Sequence, residues 1–153
     1  TTRLSYDAAG YQEKLIEPDA GTILYDYNPF GELISQTNAN LHTYKMTYDG
    51  LGRLTNKTLA GSLDDITTYT YCPEGTHGFG QLQTVSGSNG IQTSYIYDDK
   101  SRVIEKNQLI DGKKYDFTYD YNVYGKARNV TWPTGFSIKY RYKKGYLSAV
   151  EEN

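Results

Sequence analysis

The sequence predicts an all-β fold: tandem β-hairpins joined into one long, strongly curved antiparallel sheet. Three observations lead there. Tyrosine is abundant while aliphatic residues are sparse, apolar and polar side chains alternate ahead of seven tyrosines, and a glycine follows most of those tyrosines by four residues. The 153 residues include 17 Tyr and 15 Gly but only 4 Pro, with a mean hydropathy of −0.70. Aromatic rings suit a pleated, half-buried surface better than a helix interior, and glycine supplies the positive φ of tight turns.

The repeated phrase is an alternating stretch, then Tyr, Asp or Asn, two variable residues, Gly, one residue, and an apolar residue. Tyr48-Asp49-Gly50-Leu51-Gly52-Arg53-Leu54 is the clearest copy. Tyr6-Asp7-Ala8-Ala9-Gly10, Tyr27-Asn28-Pro29-Phe30-Gly31-Glu32-Leu33 and Tyr121-Asn122-Val123-Tyr124-Gly125 keep the frame. Tyr97-Asp98-Asp99-Lys100-Ser101 places Ser where Gly is expected, at a cost of about 1 kcal/mol if Ser101 adopts the left-handed conformation. Two copies are irregular. Tyr71-Cys72-Pro73-Glu74-Gly75 is followed by Thr76-His77-Gly78-Phe79 before Gly80-Gln81-Leu82, and Tyr142-Lys143-Lys144-Gly145-Tyr146-Leu147 is one residue short. Residues 1–153 therefore read as a single array of seven hairpins, a slice of a longer chain.

Ahead of each anchor the period is two, the signature of a strand. Tyr44, Met46 and Tyr48 share one face, as do Tyr25 with Tyr27, Tyr69 with Tyr71, Tyr95 with Tyr97, Tyr119 with Tyr121, and Tyr140 with Tyr142. The opposite face carries Thr, Lys and Arg. The expectation is a dry aromatic face and a hydrated one. A lone hairpin is marginal in water, so each copy must lean on its neighbours, and open edges are expected to favour self-association.

Charge points to no dominant partner. The net charge is −2, which argues against nucleic acid, and no apolar run approaches the length of a membrane span. Residues 1–76 carry five Lys/Arg against ten Asp/Glu, and residues 77–153 carry eleven against eight, so the second half could offer a basic patch at Lys139, Arg141, Lys143 and Lys144. Cys72 has neither a disulfide partner nor a CxxC companion. The adjacent acids Asp64-Asp65 and Asp98-Asp99 point to opposite strand faces and do not make a calcium loop. No cofactor, metal or catalytic set emerges, and the chain is not expected to be an enzyme. Trp132, Tyr124, Tyr146 and Phe79 fall in loops or at turn tips and are the candidates for stacking on a sugar, which makes carbohydrate binding the alternative function.

The Y-x-Y-D-x-x-G-R-L phrase resembles the YD repeats, also called RHS repeats, of bacterial polymorphic toxins, insecticidal toxin complexes, wall-associated proteins and teneurins. The likeness runs from Tyr6 to Leu147. It implies a spiralling β shell that in long relatives encloses another polypeptide, hence an extracellular or cell-surface bacterial scaffold whose partners are adjoining repeats and an enclosed polypeptide or surface glycan. The D-P-x-G-type motif that accompanies self-processing in relatives does not occur in these residues.

Overall fold

A computed structural model describes residues 1–62 and 65–152. Asp64 of the first acid pair lies outside the described residues. Fourteen strands follow one another: β1 (Arg3–Tyr6), β2 (Gln12–Glu17), β3 (Gly21–Tyr27), β4 (Leu33–Thr37), β5 (Thr43–Tyr48), β6 (Leu54–Leu59), β7 (Ile66–Tyr71), β8 (Leu82–Gly87), β9 (Gln92–Tyr97), β10 (Val103–Ile110), β11 (Lys113–Tyr121), β12 (Ala127–Thr131), β13 (Ser137–Lys143) and β14 (Tyr146–Glu152). They form one open antiparallel sheet in strict chain order, so every strand pairs with its neighbours in sequence. By compactness the chain divides into residues 1–69 with 87–89, and residues 70–86 with 90–153.

Six of the seven anchor tyrosines end the first strand of a hairpin, Tyr142 standing one residue before the end of β13, and at most of them the register slips. The pairing jumps between Ser5 and Tyr6, Asp26 and Tyr27, Thr47 and Tyr48, Asp120 and Tyr121, and Arg141 and Tyr142. A bulge beside a turn adds twist and re-aims the side chains that follow. Between hairpins the pairing is regular: Lys14 faces Leu24, Ser35 faces Lys45, Asn56 faces Thr68 and Asn129 faces Lys139. In each case the residue eight after one anchor meets the residue three before the next.

In the first unit, the anchor-side face carries the row Tyr25, Gln36, Tyr44, Leu59 and the row Met46, Lys57, Thr67. In the second it carries Tyr95, Lys106, Phe117 and Thr93, Gln108, Tyr115. The rings do share one face, but that face is not dry. Polar side chains on the return strands stand between the rings, with Lys57 Nζ 4.6 Å from the Tyr44 ring centroid and Lys106 Nζ 5.2 Å from that of Phe117. Cations over aromatic faces keep part of their electrostatic stabilisation without full desolvation. Most anchors are therefore half-buried, Tyr6 is 56% exposed, and Tyr97 alone among them is buried, at 7%. The physical reason is geometric: a single-layer sheet buries a ring only against its lateral neighbours.

The opposite face is mostly polar, though Leu24 and Ile96 stand exposed on it, and it is tied together across strands. Thr47 and Thr55 hydroxyls lie 2.9 Å apart, Asn56 Nδ2 donates to Thr47 Oγ1 at 3.3 Å, and Thr68 Oγ1 donates to Asn56 Oδ1 at 3.1 Å. On the same face of the second unit, Asn129 Nδ2 donates to Asp120 Oδ2 at 2.9 Å.

Candidate functional site

The repeated chemistry of the chain is concentrated in the anchor turns. At Asp49 the backbone closes twice, Asp49 N donating to Arg53 O at 2.9 Å and Gly52 N to Asp49 O at 3.0 Å. The carboxylate Oδ1 accepts two more bonds, from Leu51 N at 2.9 Å and Arg53 N at 3.0 Å. Four bonds converge on one residue. Asp7, Asn28, Asp98 and Asn122 repeat this arrangement, which is why Asp and Asn alternate there: the turn uses the one oxygen that both possess. The fourth position needs positive φ, and Gly10, Gly31, Gly52 and Gly125 provide it at 74 to 88°. Ser101 adopts it at 58° despite its Cβ.

The second side-chain atom of the turn residue selects its partner four residues on. Arg53 Nε donates to Asp49 Oδ2 at 2.7 Å, and Arg102 Nε to Asp98 Oδ2 at 2.7 Å. Where the turn residue is Asn28, polarity reverses and its Nδ2 donates to Glu32 Oε2 at 2.6 Å. The Arg102 hydrogen bond, aided by turn amides, holds the Asp98 carboxyl down to about 2, and Arg53 lowers that of Asp49 in the same way.

Neighbouring hairpins are latched through the anchor phenols. Tyr27 Oη donates to Gln12 O at 3.2 Å, Tyr48 Oη to Leu33 O at 2.8 Å, Tyr97 Oη to Leu82 O at 2.7 Å and Tyr121 Oη to Val103 O at 2.7 Å. Each acceptor is the residue two after the turn glycine or its equivalent in the preceding hairpin. Burial raises the pKa of all four phenols above its ordinary 10.0, which keeps them protonated as donors. The preceding turn adds a cation: the Arg102 guanidinium lies 4.5 Å from the Tyr121 ring centroid and Lys126 Nζ 5.2 Å from that of Tyr142. At the N-terminal end, Tyr11 stacks on Tyr27 with centroids 5.0 Å apart.

The irregular copy keeps this frame. Cys72 N donates to Gln81 O at 2.8 Å and Gly80 N to Cys72 O at 3.0 Å, so the inserted residues are closed by the same two backbone bonds as a short turn. The insert then folds against the next anchor. A Cβ on Gly78 would meet the Tyr97 ring at 2.5 Å, and Gln81 Nε2 donates to Ser101 O at 2.8 Å. This loop is why Tyr97 and Cys72 are buried.

The four aromatic ligand candidates do not converge. Tyr124 and Phe79 belong to turns on one edge of the second unit and Tyr146 opens β14 at that edge; they are 85%, 61% and 79% exposed. Trp132 lies in the turn joining β12 to β13, hence on the other edge, and it is half-buried with Phe136 5.5 Å from its ring. Trp132 is thus a turn residue of the anchor type, with Trp132 N donating to Phe136 O and Gly135 N to Trp132 O. His42 likewise closes a turn, donating its backbone N–H to Asn38 Oδ1 at 3.0 Å. Among the described residues, no three His, Cys, Asp or Glu side chains gather as metal ligands would.

Residues 27–63 match the RHS repeat family model. No curated protein matches the chain. Among solved structures, the fold is similar to that of the TcdB2-TccC3-Cdc42 crystal structure, with a TM-score of 0.67 and 16% identity over 99% of this chain and 11% of the other. The TcdB2-TccC3 crystal structure without its hypervariable C-terminal region gives 0.67 and 16% over the same shares. The Photorhabdus luminescens Tc holotoxin pore gives 0.65 and 17%, again over 99% of this chain and 11% of that one. The chain thus spans a small fraction of the length of these toxin-complex proteins.

Proposed function

We propose that this RHS-repeat chain is a non-catalytic wall segment of a larger secreted or cell-surface bacterial shell, which presents or encloses another polypeptide. The observation that carries the reading is the recurring latch: four hairpins receive the next one through a phenol and a carbonyl, within a repeated inter-hairpin register. Such an array has its chemistry spent on continuity. The turn acids Asp49 and Asp98 support a structural role, since arginines and backbone amides hold them ionised as acceptors instead of poising them to exchange protons near neutral pH. Its natural neighbours are further repeats at both open edges, with a strongly curved sheet turning the aromatic face inward.

The test uses two single cysteines in the parent protein carrying Cys72→Ser. Gln36 stands between Tyr25 and Tyr44 on the aromatic face, and Lys45, on the adjacent strand, faces Ser35 on the other. With a bulky polyethylene-glycol maleimide, Lys45→Cys should react at once and Gln36→Cys only after unfolding. Equal labelling of the two in the native protein would mean that the aromatic face encloses nothing.

A further inference from the structure

We infer that the turn edge of the last two hairpins holds a binding cleft for a short anionic oligosaccharide. The cleft has a volume of about 600 Å³ and lies against the turns that follow β11 and β13. That size falls in the range of small-molecule sites. Its lining includes Tyr124, Lys126, Arg128, Lys139, Arg141 and Lys144, and no acidic residue.

The charges are arranged to leave a surplus. Asp120 pairs with Arg128, and Glu151 Oε2 lies 2.8 Å from Arg141 Nε, so two of five cations have carboxylate partners. Lys126 bridges the two turns by donating to Gly145 O while it covers the Tyr142 ring. Among the described residues, neither Lys144 nor Lys139, which stands opposite Glu151 in the β13–β14 register, forms an ion pair, Glu151 being engaged by Arg141. Both remain to meet an anionic ligand.

Tyr124 gives the cleft a platform. It is 85% exposed, and its backbone is fixed by the bond from Tyr124 N to Asn122 Oδ1 at 2.9 Å, so only the two side-chain torsions of the ring are left to order on binding. A sugar ring stacks by its C–H face on such a phenol, and its carboxylate or sulfate groups would then lie within reach of the lysines. A peptide adding as a strand is disfavoured, because the turn backbone is already closed from Asn122 N to Lys126 O and from Gly125 N to Asn122 O. A long nucleic acid is disfavoured by the chain's overall charge of −2.

The inference does not depend on the wall reading, and its test leaves that reading untouched. The chain is titrated calorimetrically with a heparin-derived hexasaccharide and with its desulfated counterpart. The sulfated form should bind saturably and more weakly as ionic strength rises, and the desulfated form, which keeps only its carboxylates, should bind at least about tenfold more weakly. Lys139→Ala with Lys144→Ala, and separately Tyr124→Ala, should each weaken binding about tenfold. Trp132→Ala, on the opposite edge, should leave it unchanged, and circular dichroism of each variant verifies the fold. Absence of saturable binding, indifference to the lysine and tyrosine variants, or equal affinity for oligothymidylate or an oligoglutamate would each overturn the inference.

Discussion

Replacing Gly78 by alanine tests whether the insert after Cys72 is structural. Two costs add at this site. Gly78 has φ of +75°, where an L-residue loses about 1–2 kcal/mol. Its new Cβ would also sit 2.5 Å from Tyr97 Cγ and Cδ2 and 2.9 Å from Tyr97 Cβ. Those are inner atoms of a buried ring whose hydroxyl is latched to Leu82 O at 2.7 Å, so the ring cannot swing aside without breaking that bond. Overpacking of this kind costs about 1–3 kcal/mol. The total is about 2–5 kcal/mol. Gly75 is the internal control, because its φ is +81° and a Cβ there meets nothing within 4 Å, leaving the backbone cost alone. Urea unfolding followed by far-ultraviolet circular dichroism should place the Gly78→Ala midpoint below that of Gly75→Ala, with similar slopes. Coincident midpoints would refute the contact between the insert and Tyr97.

Three further outcomes are expected. Ser101→Gly should stabilise the chain by about 0.5 kcal/mol, since relief of the left-handed strain at φ 58° is partly offset by glycine's greater freedom when unfolded, and the same urea assay reads it. Tyr48→Phe should cost about 1 kcal/mol by removing the 2.8 Å latch to Leu33 O, and native-state hydrogen exchange should show its effect in β4 and β5 before distant strands. Asp98 has a folded pKa of about 2 against an ordinary 3.8, so its ion pair with Arg102 stabilises fully above 3.8 and is lost as pH falls to about 2. Thermal midpoints of the wild type and Asp98→Asn should therefore differ at neutral pH and draw together across that acid interval.

Much of the sheet was legible because its signals are local. Alternation placed the strands, and Asp or Asn followed by glycine placed the bulged turns at Tyr6, Tyr27, Tyr48 and Tyr121. Other turns use the same geometry with weaker letters: Leu41 takes φ 62° in the Asn38 turn, and Asp111 with Gly112, at 49 and 73°, makes a two-residue hairpin whose Asp-Gly signal was available but outside the repeat phrase. The expectation of a dry aromatic face failed because periodicity along one strand does not say what stands across from it. Lys57 and Gln36 reached the aromatic face through pairing register, a long-range property. Trp132 was expected as a stacking candidate in a loop and is half-buried against Phe136, since the Trp-Pro-Thr-Gly turn folds the ring back. The phenol latches link residues 15 or 18 apart, and no local pattern announces which carbonyl each tyrosine meets.

Those latches also set how such a chain can change length. Tyr97 reaches Leu82 at 2.7 Å directly after a turn that carries an insert, and Tyr121 reaches Val103 at 2.7 Å although the intervening hairpin arms are longer. Extra residues on one edge fold against the next anchor and on the other lengthen the paired arms of β10 and β11, while the hydroxyl still finds its carbonyl. Loop length can thus differ from module to module while the latch is kept, provided that an insert resting on the next anchor, as Gly78 rests on Tyr97, keeps a surface that fits it.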